Sequence, residues 1–153
     1  MRSRTTVASI TLAVILLAGP AAAAKRAVAD RATFTVALTG DAEATKEAAP
    51  ALGDTDGLGS VKLVVDLASN QICYEFRLSK VATPLMAHIH RAPQQHRGPS
   101  VVTLFTGPGG ELRDCVMWTE ERLEEIVSEP SNFYVNLYTT EYPDGALRGQ
   151  LSS

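Results

Sequence analysis

Cysteine, histidine and tryptophan are scarce, at two, three and one in 153 residues. All three histidines, His88, His90 and His96, fall in one short stretch, so any imidazole chemistry is confined there. There is no basic excess: 14 Lys and Arg stand against 17 Asp and Glu. That argues against a nucleic-acid binder, which needs a basic patch. The apolar run Ile10–Ala18 is too short to suit a membrane span. No βαβ alternation, internal repeat or coiled-coil heptad is visible. No nucleophile elbow or orienting acid accompanies Ser100, Thr103 and His88, so no hydrolase triad is recognisable.

The first residues read as a leader. Arg2 and Arg4 form a basic region, Ile10–Ala18 an apolar one, and Ala22-Ala23-Ala24 a small-residue cleavage site. Cleavage is expected after Ala24. No cysteine follows the site, so no lipid anchor is expected, and the two arginines are not adjacent, so the twin-arginine signal is absent. The expected product is a soluble exported protein, secreted or periplasmic, whose mature chain does not insert into membranes. Residues 1–24 carry two arginines and no acids, so the remainder holds 12 basic residues against 17 acidic, a net charge of −5. Export and an even cysteine count favour a Cys73–Cys115 disulfide over two buried thiols or a two-cysteine metal site.

Residues 25–32 are Ala-rich and charged and are expected to be flexible, with one domain over 33–151. Apolar residues alternate in Thr33–Thr39, Ser60–Leu67, Gln71–Ser79 and Asn132–Thr139, the period of half-buried strands. The second and third are joined by Ser69-Asn70 as a β-hairpin. Cys73 shares its face with Glu75 and Arg77, pointing away from the main apolar face or into a second layer. Leu85–Arg91, Val101–Phe105, Leu112–Met117 and Ala146–Leu151 complete seven or eight short strands. Asp41–Leu52 reads as a loop along a sheet edge. Thr119–Val127 is the one good helix, with Thr119 as N-cap, Glu120 and Glu121 in the first turn, and Leu123, Ile126 and Val127 as its stripe. The pattern predicts an all-β fold, an antiparallel Greek-key-like sandwich with one short helix near 119–128.

Two motifs carry a family resemblance. Ala87-His88-Ile89-His90 followed by Gly98-Pro99-Ser100-Val101-Val102-Thr103-Leu104 resembles the central motif of the CHRD (chordin) domain. Tyr134-Val135-Asn136-Leu137-Tyr138-Thr139, then Pro143-Asp144-Gly145-Ala146-Leu147-Arg148-Gly149-Gln150-Leu151, is similar to its closing motif. Leu38-Thr39-Gly40 with Glu43, and Asp54 to Gly59, fit its opening strand and turn. The resemblance covers Thr33 to Leu151 and implies a β-sandwich. It does not import growth-factor binding into a lone domain. One departure stands out: where the family usually has Val-Asn-Val-His-Thr, this chain has Tyr138 at the histidine position.

In a strand, His88 and His90 project from the same face. Two readings follow. In the first, they are structural, hydrogen-bonding to Asn136, Tyr138, Thr139 or backbone across neighbouring strands, with His96 solvated on its loop. The protein is then an exported, non-enzymatic binding or structural module with no cofactor and an unidentified extracytoplasmic partner. In the second, His88, His90 and His96 hold copper or zinc, with Glu43, Asp114, Glu141 or water as fourth ligand, and a redox role becomes conceivable. Asp54 and Asp56 suggest calcium, but no Glu stands where the calcium-loop pattern requires it, which favours an ordinary Asp/Gly turn. Arg148 reads as a sheet-edge ion-pair partner and Trp118 as helix-packing core. Tyr134, Tyr138 and Tyr142 could line an exposed patch, although cross-strand packing is the preferred reading.

Overall fold

A computed structural model describes residues 30–43 and 53–153. The expected leader, its cleavage site and most of the 25–32 and 41–52 segments lie outside the described residues. Among the described residues there are eight strands: β1 (Arg31–Thr39), β2 (Leu58–Asp66), β3 (Gln71–Ser79), β4 (Pro84–Arg91), β5 (Ser100–Thr106), β6 (Arg113–Met117), β7 (Phe133–Thr139) and β8 (Leu147–Gln150). A helix, α1 (Glu120–Ser128), joins β6 to β7. The strands make one antiparallel sheet in the order β5-β4-β7-β8-β1-β2-β3-β6.

Alternation does what its period dictates. In β1, Phe34, Val36 and Leu38 are buried while Thr33, Thr35 and Ala37 face solvent. In β3 the buried set is Ile72, Tyr74 and Phe76. The sheet curls over itself: Phe105 of β5 meets Tyr74 and Phe76 of β3 with ring centroids 6.2 and 5.8 Å apart. Buried residues from both halves and from α1 therefore form one core cluster. The all-β expectation is met by a single, nearly closed sheet.

The register explains the exceptions. Two irregularities in the β4–β5 ladder, at Ala87/His88 and Ile89/His90, skip Leu104 and Val101. The first lets the neighbours Leu104 and Phe105 both face inward. β1 begins at Arg31, because Arg31 and Ala32 continue the ladder opposite Asp66 and Val65; the end of the expected flexible segment is strand. Thr119 holds the N-cap backbone conformation of α1 but makes no side-chain capping bond, and the helix buries Leu123 and Ile126. Those two side chains contribute about 3–6 kcal/mol of apolar burial. Trp118 packs against the core, as expected.

Cys73 and Cys115 stand directly opposite each other in the β3–β6 ladder and are disulfide-bonded. Cys73 lies on the outer face with Glu75 and Arg77, which pair with each other. The bond therefore ties the edge strand β6 to β3 from outside the core.

Candidate functional site

The histidine strand sits beside the most buried strand of the sheet. Ala87 and Ile89 of β4 and Val135 and Leu137 of β7 fill the core face. On the opposite face, His88 lies across from Asn136 and His90 across from Tyr134. One strand further, Asn136 faces Arg148 and Tyr134 faces Gln150. An outer face of this composition would ordinarily be wet. Here every residue of β7 is buried.

The covering element is the loop Ala92–Pro99, and its attachments are specific. The Nδ1–H of His90 donates to the Gly98 carbonyl at 2.9 Å. Gly98 N–H donates to the Tyr134 hydroxyl at 3.3 Å. Arg148 reaches the Pro93 carbonyl, and the Gln150 amide reaches the Ala92 carbonyl as well as Ser131 and Phe133. Glycine is required at 98, because a Cβ there would sit 1.8 Å from the Arg91 carbonyl oxygen.

His90 has no lone pair left over. A carbonyl can only accept, so Nδ1 carries the proton towards Gly98. Nε2 is then the acceptor, and it takes the Tyr138 hydroxyl proton at 2.7 Å. Burial pushes the Tyr138 phenol up to about 12, with Tyr134 and Glu43 adding to the effect, so the donor keeps its proton. Burial lowers the His90 pKa below 6.5, partly opposed by the Gly98 carbonyl, and holds the ring neutral. The ring stacks on Tyr134 at 4.9 Å and 11°, and the Arg148 guanidinium covers Tyr134 at 3.5 Å. Imidazole, phenol and guanidinium thus form a stack, in which Tyr134 carries a cation–π contact.

His88 differs. It is half-buried, its ring lies 5.8 Å from that of His90 and 5.5 Å from that of Tyr138, and burial lowers its pKa. Among the described residues its ring nitrogens make no hydrogen bond. His96 does not join the pair: it is exposed and bonds the Gln94 carbonyl of its own loop at 3.0 Å. Of the other suggested ligands, Asp114 lies on β6 and accepts the Cys115 N–H, and Glu141 is exposed. Among the described residues no group of three or more His, Cys, Asp or Glu side chains is arranged to hold a metal ion. Thr103 lies opposite His88 and Ser100 opposite His90, with no side-chain hydrogen bond between either pair among the described residues.

The described start of the 41–52 segment departs from the expected edge loop. The chain leaving β1 makes a 3-10 turn, Gly40–Ala42, and delivers Glu43 to the central strands and not to a sheet edge. The Asn136 amide donates to Glu43 Oε2 at 3.4 Å. Burial raises the carboxyl to about 7, against the opposing influence of Arg148, Arg97 and Asn136. Arg148 itself is buried on β8, an inner strand, so it is not an edge residue, and among the described residues it makes no ion pair within 4.0 Å. The stack depends on the β4–β7 pairing, which sets His90 opposite Tyr134 across more than forty residues of chain and which no local pattern encodes.

The remaining motif residues lie within the fold as follows. Thr139 is fully buried and its hydroxyl accepts the Tyr142 N–H at 3.2 Å. Gly145 has φ +135, and a Cβ there would press within 2.6 Å of the Glu43 carboxylate. Gly149 stands opposite Val135. Asp54 is buried and accepts the Gly57 N–H at 2.9 Å, the Asp/Gly turn expected in place of a calcium site. Tyr134 and Tyr138 are buried, so they line no exposed patch.

These residues define an antiparallel β domain whose outer face is braced by buried polar side chains. The model for the CHRD domain matches residues 34–151, and the chain belongs to that family. Neither a search of curated proteins nor one of solved structures gave a match.

Proposed function

We propose that this is an exported, non-enzymatic CHRD module that acts by binding or by structural support outside the cytoplasm. The observation that carries the reading is the full commitment of His90. Both ring nitrogens are spent on the loop Ala92–Pro99 and on Tyr138, which leaves neither for a metal or a proton-transfer step. The motif histidine therefore serves architecture, and the braced loop is the element it presents. The Cys73–Cys115 disulfide supports an oxidising compartment, and no helix among the described residues is long and apolar enough to cross a membrane.

The alternative, a copper or zinc protein, keeps only His88 of the three histidines with ring nitrogens unengaged and partly buried. The test is to recover the protein from the exported fraction and measure its N-terminus, its free thiols and its metal content. The proposal expects a chain starting at Lys25, no free thiol and no stoichiometric metal. A cytoplasmic protein with two free thiols would contradict export. One equivalent of copper or zinc, lost in the His88→Ala variant, would replace this reading with the alternative.

A further inference from the structure

Two buried oxygens in this layer have no hydrogen-bond partner among the described residues: Glu43 Oε1 and Asn136 Oδ1. Both are acceptors if Glu43 is ionised, and they belong to side chains already joined through their other ends, Asn136 Nδ2 to Glu43 Oε2. A buried acceptor without a donor costs about 1–3 kcal/mol. We infer that a single proton on Glu43 Oε1, donated to Asn136 Oδ1, closes this pair into an acid–amide ring and makes it a proton-operated latch. The latch fastens the exit of β1 to the centre of the sheet. Its position is fixed on both sides, because a Cβ at Gly145 would lie 2.6 Å from the carboxylate and one at Gly53 would lie 2.8 Å from Cγ.

The surroundings set the balance. From β8, Arg148 faces the carboxyl, and from the loop Ala92–Pro99, Arg97 does; both favour the anion. Arg97 is itself drawn towards Asp144 of the following turn, at 4.0 Å. From β7 come Asn136 and the phenols of Tyr134 and Tyr138, and β4 beyond carries His88 and His90, whose pKa values burial lowers. From the 53–57 turn, Asp54 packs against Gly40 and spends its carboxylate on Gly57. Neither arginine forms an ion pair with Glu43 within 4.0 Å among the described residues, and desolvation outweighs them. A bound cation would satisfy the same two oxygens, but it would share the site with two guanidinium groups.

The experiment compares the wild-type chain with Glu43→Gln across pH. Glutamine reproduces the protonated acid: its amide donates to Asn136 Oδ1 and its carbonyl accepts from Asn136 Nδ2. The two proteins should melt at the same temperature at pH 5. The wild type should fall behind the variant by at least about 3 °C at pH 8.5. In the unmutated protein, the ¹³C carboxyl resonance of Glu43 should titrate near neutrality. A gap between the two proteins that does not change with pH, or a Glu43 resonance that titrates near 4.5, would overturn the inference. The second measurement decides the matter even if Glu43→Gln fails to fold. Failure of the latch would leave the exported-module reading intact, since that rests on His90.

Discussion

Replacing Tyr138 with Phe removes one oxygen and tests the account of His90. The lost contact is the 2.7 Å hydrogen bond to Nε2, between a phenol and an imidazole that are both buried. The ring cannot compensate by moving its proton to Nε2, because that would strip the Gly98 carbonyl of its donor. A buried nitrogen lone pair is left unpaired, which costs about 1–3 kcal/mol. For a domain of this size that corresponds to a melting point lower by about 4–12 °C. Urea denaturation measures it directly: the midpoint should fall while the slope stays constant, since the exposed area on unfolding is unchanged. Tyr142→Phe is the matched control, because Tyr142 is only half-buried, and its change should stay within about 0.5 kcal/mol. If Tyr138→Phe cost no more than that control, the hydroxyl would not be holding His90 and the brace would be misconstrued.

Further outcomes follow from other parts of the molecule. In the Glu43→Gln background, stability should fall as pH drops below about 6.5, because burial lowers the His88 and His90 pKa values in the fold. The unfolded rings then take up protons that the folded ones refuse, so these groups stabilise above the unfolded pKa and lose that contribution below it; urea midpoints from pH 5 to 8 report it. Reducing Cys73–Cys115, which closes a loop with sequence separation 42, should lower unfolding free energy by about 4 kcal/mol, measured by denaturation with and without reductant. Arg148→Lys should cost about 1–2 kcal/mol although charge is kept, because an ammonium lacks the planar face that covers Tyr134 at 3.5 Å; a thermal melt detects it.

Much of this fold is written locally. Phe34, Val36 and Leu38 alternate because β1 has one wet face, and the same reasoning places the β2–β3 hairpin and turns Cys73 outward. The shared face of His88 and His90 is equally local, a consequence of period two. What could not be read depends on which strands meet. The β4–β7 pairing brings His90 over Tyr134, and the insertion of β8 between β7 and β1 brings Glu43 beside Asn136, residues far apart in the chain. Glu43 lies next to an Ala- and Glu-rich stretch with no apolar period, so nothing nearby signalled its burial. His96 stands only six residues after His90, but the Gly98 peptide is clamped to His90 and Tyr134, and the histidine two residues earlier is left outside. The Tyr138 departure from the family pattern has its own logic: it supplies a proton donor to His90 where an imidazole was expected.

The most direct test of the brace is the ¹⁵N spectrum of the imidazole nitrogens during a zinc titration at pH 7. His90 should show a protonated Nδ1 and an acceptor Nε2, unchanged by one equivalent of zinc. A His90 ring that carries its proton on Nε2, or whose resonance shifts stoichiometrically with zinc, would contradict the account.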